Sequence, residues 1–322
     1  MEDVGTSKQN PEKPADVPEM IVGRVNLKKE EDERICAFAE DKRVALIAII
    51  APYVPVRVSP IEVASASIGL QEEFGIEAIV TELSRTGVKD GYLLVNSPGG
   101  GMDSSYKIAR ALRRVLDRIT VFVPHVAASG GALLALTGNE IVMGPMSNIT
   151  PVDVQVPYGG TYISATTFMR FLARATKWFE RTRPEEAPYP RTALANKLDP
   201  FVMEEWGGAT TTVIHYLEEI LQMAGYGEKS GSIARELATG YPIHGYVITE
   251  EKAKQLGLHI GDSSKYPEAW KLMRYWLGKY MLEEVATHCI RYVIPSSAGK
   301  EEPQNGKKKK KRNRSDIVES AQ

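Results

Sequence analysis

Four apolar runs rich in Val, Ile and Leu punctuate the first half of the chain: Val44 to Val54, Tyr92 to Val95, Thr120 to Val126 and Glu140 to Met143. Each ends near Gly, Pro, Asn or Ser, and continuous runs of this kind predict strands covered on both faces. Between the second and third, Ser104 to Ile119 sets Tyr106, Ile108, Ala109, Leu112, Val115 and Leu116 at helical spacing. Strand, helix, strand is a βαβ crossover. Ile61 to Thr86 reads as helical, with Ile76, Ile79, Val80 and Leu83 on one face. A further helix starts at Ser129 and runs through Leu133, Leu134 and Leu136 to Thr137, where Gly138-Asn139 ends it.

Beyond Tyr162 the pattern turns helical. Ser164 to Phe179 carries Phe168, Phe171 and Leu172 at one-turn spacings, and Arg181 to Arg191, with Pro184, Pro188 and Pro190, reads as a loop. Ala193 to Met223 reads as a helix broken at Gly207-Gly208. Glu250 to Leu256 is a short helix closed by Gly257, and Pro267 to Val285 is amphipathic. Its Trp270, Tyr275, Trp276 and Tyr280 are expected in a core or a subunit contact rather than around a ligand.

The 322 residues, 43% hydrophobic and 25% charged, suffice for a full-sized core in a soluble globular protein. Cys36 and Cys289 are too few for a disulfide framework and fit a reducing compartment. The first residues lack a basic start followed by an apolar run, and no stretch approaches the roughly 20 apolar residues of a spanning helix. A cytoplasmic location is therefore expected. Charge is uneven: Lys307 to Arg312 and Arg314 hold seven positive charges, which leaves −8 for the remainder. Residues 1–26 are expected to form a disordered arm, 27–290 the folded domain, and 291–322 a basic disordered tail. The Lys307 to Arg314 run is either simply solvated or available to an anionic membrane surface, nucleic acid or a targeting receptor.

Two short segments carry chemistry. Leu94-Val95-Asn96-Ser97-Pro98-Gly99-Gly100 is a strand running into a glycine turn, and Ala127-Ala128-Ser129-Gly130-Gly131-Ala132 places a serine where a strand becomes a helix. A serine hydroxyl is a weak nucleophile, so it needs a neighbouring base and N–H donors where the carbonyl oxygen becomes negative. Gly99, Gly100 and Gly101 let backbone N–H groups approach a bound carbonyl, and Gly130 and Gly131 clear space beside Ser129. Each segment alone also reads as a plain turn or helix cap. The glycine turn lacks the Lys-Ser/Thr of a P-loop, and no dinucleotide fingerprint is present.

These two segments, together with Tyr246-Val247-Ile248-Thr249-Glu250-Glu251-Lys252-Ala253-Lys254-Gln255-Leu256-Gly257-Leu258, resemble in order the Clp protease and crotonase superfamily. Val123-Pro124-His125, Met143-Gly144-Pro145 and Thr150-Pro151-Val152-Asp153-Val154-Gln155 look most like the serine dehydrogenase proteinase family, relatives of signal peptide peptidase A. The likeness covers about residues 30–265. It implies an α/β fold, a crotonase-like spiral of ββα units with an additional helical C-terminal part, serine endopeptidase activity on peptide or protein substrates, and a homo-oligomer. Ser129 would be the nucleophile and the amides of Gly100 and Gly130 the oxyanion hole, with Gly99 shaping the turn. No cofactor and no metal is expected.

The general base is the open position. In Clp protease it is a histidine that would fall near Val152 or Asp153, and its aspartate would fall near Gly245; this chain has neither in place. Signal peptide peptidase relatives use a lysine from a later helix, which offers Lys197 or Lys177. A lysine base must be partly desolvated, and Lys197 has the more apolar neighbours. His244 and His125 are alternatives from the residues themselves, and Asp153 stands where it orients a base, binds substrate or caps a turn. Three classes of function remain: a serine peptidase, a catalytically weakened scaffold, or a crotonase-type enzyme polarising an acyl-CoA thioester.

Overall fold

The computed structural model describes residues 29–51, 67–158, 160–181, 199–282 and 289–296. Helix α1 (Lys29–Lys42) leads into β1 (Val44–Ile50), whose seven residues are all buried. Successive strand side chains point to opposite faces. Ala45, Ile47 and Ile49 thus enter one core, and Val44, Leu46, Ala48 and Ile50 the other. Then come α2 (Leu70–Thr86), β2 (Asp90–Asn96), α3 (Met102–Val115) and β3 (Arg118–Val123). The three strands are parallel, with Leu46 opposite Tyr92 and Tyr92 opposite Thr120. This is the expected crossover.

The run from Thr120 to Val126 is divided rather than continuous. Pro124 has no N–H to give a ladder, so β3 stops at Val123 and β4 (Val126–Ala127) opens a second layer. Next follow α4 (Gly130–Ala135), β5 (Glu140–Met143) and β6 (Asn148–Ile149). β5 joins the main sheet beside β3, and β6 pairs in parallel with β4. Bridges from Ser97 to Ala127 and from Ile149 to Ile248 extend the second layer. The turns that start at β2 and β3 each run through a long strand, a short second-layer segment and a helix, the turn of β5 and β6 has no helix, and β1 is likewise followed by α2. That is the ββα spiral of the Clp and crotonase fold.

A hairpin, β7 (Gln155–Tyr158) and β8 (Thr161–Ser164), precedes the helical part. It comprises α5 (Ala165–Arg181), α6 (Pro200–Met223), α7 (Ser230–Arg235) and α8 (Glu250–Leu256), followed by β9 (Ile260–Gly261), α9 (Pro267–Leu282) and β10 (Cys289–Val293). The main sheet has the order β10-β1-β2-β3-β5-β9. One of its faces is covered by residues of α2, α3, α4, α6 and α7, the other by α1 and α9. Tyr275, Trp276 and Tyr280 are buried in that second core and Trp270 packs against it, which explains the aromatic content of α9.

Further sequence expectations change: the helix expected from Ile61 begins at Leu70, because Ile68 forms a strand-like bridge with Gly100, and its 61–66 part lies outside the described residues. Helix α6 passes unbroken through Gly207-Gly208, because Val213, Leu217, Ile220 and Leu221 on its following turns are buried. The packing outweighs the roughly 1 kcal/mol per glycine that propensity costs. Helix α6 begins at Pro200, not inside a longer helix: Asp199 caps it by accepting from the N–H groups of Phe201 and Val202. Folded structure also continues past residue 290. β10 pairs antiparallel with the edge of β1, Ile50 opposite Cys289 and Leu46 opposite Val293, and Ser296 donates to Glu40. The edge of β1 would otherwise be left unpaired. The Arg181 to Arg191 loop beyond Arg181, the 193–198 part of the expected helix, the N-terminal arm and the Lys307 to Arg314 run lie outside the described residues.

Candidate active site

The site grows from two adjacent turns of the spiral. At the end of β2, Asn96 and Ser97 tie the glycine turn to the serine segment. Asn96 Oδ1 accepts from the Val126 N–H, the Ser97 N–H donates to the Val126 carbonyl, and the Ala128 N–H donates to the Ser97 carbonyl. The Ser97 hydroxyl accepts from the Gly99 N–H at 2.9 Å and holds the turn closed. On the far side, the turn bonds with Ile68 through Gly99 and Gly101.

The turns mesh so closely that side chains are excluded. Gly99 has φ 102°, and a Cβ there would lie 2.6 Å from the Ala128 carbonyl and 2.7 Å from Ser129 Cβ. A Cβ on Gly130 would lie 2.4 Å from Ser105 Oγ and 3.3 Å from Gly100 N. The contacts at Gly99 are with backbone and with a Cβ fixed to it, so glycine there is a packing requirement; at Gly130 a side chain would first have to push the Ser105 hydroxyl aside.

Ser129 has φ 52° and ψ −119°, and with Arg43 it is one of two non-glycine residues at positive φ among those described. Such a conformation costs ~1–3 kcal/mol and persists where surroundings enforce it. Its side chain makes no capping bond to α4, so the plain-cap reading does not account for it. Its own N–H donates to Thr150 Oγ1 at 2.9 Å, and the Gly131 N–H to the Ala128 carbonyl at 2.7 Å. Among the described residues no acceptor engages the N–H groups of Gly100 and Gly130. Ser129 and Gly100 together line a cavity of about 590 Å³ with Met102, Asp153, Tyr162 and Tyr216.

Asp153 brings the buried charge. Its side chain is 7% exposed, and its two oxygens meet His244 Nδ1 at 2.5 Å and Gln155 Nε2 at 3.1 Å. Gln155 also faces the cavity, whereas His244 does not line it. Opposite chemistry marks Tyr216, whose phenol is pushed up first by burial and then by its hydrogen bond with Asp103. Tyr216 stacks on Tyr106 with ring centres 3.9 Å apart, and Tyr106 donates to Glu219 at 2.6 Å.

The remaining candidates lie elsewhere. Lys177 is exposed on α5 and does not line the cavity. His125 is exposed on the turn between β3 and β4 and does not line it either. Lys197 lies outside the described residues. Among the described residues no group of three or more His, Cys, Asp and Glu side chains is placed to hold a metal ion. Sequence reasoning had no role for Asn96, Ser97, Thr150, Gln155 and Tyr216. The first two stand inside the glycine-turn motif, and Thr150 and Gln155 inside the Thr-Pro-Val-Asp-Val-Gln stretch.

Residues 80–175, from within α2 to within α5, match the family model described as ClpP-like SDH-type serine proteinase. Over this stretch the chain is similar to those proteinases. Two uncharacterised proteins of Methanocaldococcus jannaschii are similar in sequence. One is 29% identical over 171 residues, 53% of this chain and 52% of the relative; the other is 28% identical over 184 residues, 57% of each. The chain thus spans about half the length of these curated relatives. Two solved structures of the 1510-N membrane-bound stomatin-specific protease are also similar. One is a serine-to-alanine mutant, with a TM-score of 0.40, 16% identity, and 62% of this chain and 78% of that one covered. The other is a lysine-to-alanine mutant with a substrate peptide, at 0.41, 18%, 62% and 74%. No described helix of this chain is long and apolar enough to cross a membrane.

Proposed function

We propose that this chain is a serine endopeptidase in which Ser129 attacks the scissile carbonyl and the N–H groups of Gly100 and Gly130 receive its oxygen. The observation that carries this reading is the strained Ser129 backbone beside two amides that no described acceptor engages. Donors fixed in place before the reaction stabilise the developing charge without reorganising. Asp153 shares the cavity with Ser129 and takes part in its proton transfer; His244, with Nδ1 protonated, donates to that carboxylate and holds it. Relative to the Clp order, imidazole and carboxylate stand at each other's places. Peptide or protein segments are the substrates, bound along the glycine turn.

A fluorophosphonate probe followed by peptide mass spectrometry tests the assignment. Label on Ser129 that disappears in Ser129→Ala supports it, and label that survives Ser129→Ala overturns it. A folded chain that takes no label and cleaves no peptide returns the weakened-scaffold reading.

A further inference from the structure

Helix α5 leaves the hairpin wall of the cavity and stays largely outside the core: of its 17 residues only Ala165 is buried. Its inner side is defined by Phe168, whose ring meets Trp206 of α6 edge to face at 5.0 Å. Arg170 turns back to donate to the carbonyls of Thr239 and Tyr241. Another stripe, with spacings of four and three residues, runs Thr167, Phe171, Arg174, Trp178 and Arg181. Residues at such spacings share one helix face. Phe171 is 51% exposed and Trp178 50% exposed, unusual for aromatics that size on a polar surface.

The charges on this helix are one-sided. It holds four basic residues and one acid. Arg174, Lys177 and Arg181 are exposed, and among the described residues none is in an ion pair. Helical projection at 100° per residue puts these three cations within about one-sixth of the circumference, with Phe171 and Trp178 on one flank and Glu180 beyond Lys177 on the other; Arg170 projects into the same sector one turn earlier, where it is held by the Thr239 and Tyr241 carbonyls. Aromatic rings beside long cationic side chains fit the interfacial zone of a bilayer. There the rings enter the acyl boundary while the guanidinium groups reach the phosphates. A protein partner would need an acidic face with holes for two aromatics; an anionic bilayer supplies both properties everywhere.

We infer that the Phe171–Arg174–Trp178–Arg181 face of α5 docks in plane on an anionic membrane surface. The docking does not depend on the peptidase reading. It also differs from contact through the Lys307 to Arg314 run, which offers charge without apolar groups.

The test uses the full chain with vesicles of phosphatidylcholine alone, or of phosphatidylcholine with phosphatidylglycerol, the latter also with brominated acyl chains. The chain is expected to cosediment with the anionic vesicles only, and bromine to quench its fluorescence. Trp178→Phe should remove most of that quenching. Arg174→Gln with Arg181→Gln should weaken binding about thirtyfold, at about 1 kcal/mol for each cation near the surface. Phe171→Ser with Trp178→Ser should weaken it further, with an unchanged melting temperature as the folding control. Binding lost on neutralising Lys307 to Arg314 but indifferent to both stripe variants overturns the proposal, as does no binding at all. A stripe variant that changes only the sedimenting mass of the free protein also overturns it and makes the face a copy-to-copy contact.

Discussion

The two sides of the cavity are built from different material. On one side Gly100 and Ser129, with Gly99 and Gly130 as their chain neighbours, sit in backbone segments locked by strand-like bonds between Asn96-Ser97 and Val126-Ala128. On the other, Asp153, Gln155, Tyr162 and Tyr216 present side chains carried by a loop, a hairpin and the helical part. The contrast teaches where precision comes from in this fold. Backbone groups in a paired second layer cannot rotate away, so the amides of Gly100 and Gly130, the oxyanion donors of the proposed reading, stay fixed. The side-chain wall depends on rotamers that a chain of hydrogen bonds must hold.

The contrast can be broken most severely at Ser129. Ser129→Ala should lower peptidase turnover at least a thousandfold, the scale of losing a nucleophile, with its circular dichroism spectrum intact; retained turnover would refute the backbone side of the comparison. On the side-chain side, Asp153→Asn should reduce kcat by about a hundredfold, in the range of general acid–base effects, while Lys177→Ala stays within about twofold. Steady-state kinetics of the two variants side by side decides between them, and the reverse ranking would move the base to α5.

Further out in the helical part, burial pushes the Tyr226 phenol up to about 12, against the lowering effect of the His259 N–H that donates to it. The folded state holds this proton where the unfolded chain gives it up. Stability is therefore whole below pH 10 and falls as pH rises from about 10 to about 12, by roughly 2–3 kcal/mol. Denaturant titrations across that window should show a slope that Tyr226→Phe removes. The smallest effect concerns strain: Ser129→Gly should be more stable than Ser129→Ala by about 1 kcal/mol, since only glycine occupies positive φ freely. Equal stabilities would mean that the turn relaxes around alanine.

The same difference in material governs how much could be read from sequence. Backbone features leave local marks: the unalternated Val-Ala-Leu-Ile-Ala-Ile-Ile of β1 signals burial on two faces, and the paired glycine segments signal two backbones in contact. Side-chain features assembled from distant segments leave none. Asp153 and His244 stand 91 positions apart, so their pairing is a property of the Ile149–Ile248 bridge and its surroundings rather than of any motif. Lysine is the right chemistry at the right distance along the chain, yet α5 turns Lys177 outward. The Gly207-Gly208 break failed for a related reason. Propensity is local, whereas Leu217 and Ile220 keep α6 continuous through long-range packing.

Gly100 and Ser129 belong to successive turns of the spiral, and Ser97 bonds the one to the other. The unit of inheritance for this site is thus neither the glycine turn nor the serine segment. A crossover with a relative anywhere between residues 102 and 125 would import half of a meshed pair and leave its mate behind. Chimeras should be viable when 96–131 travels as one cassette, and barren when it is cut.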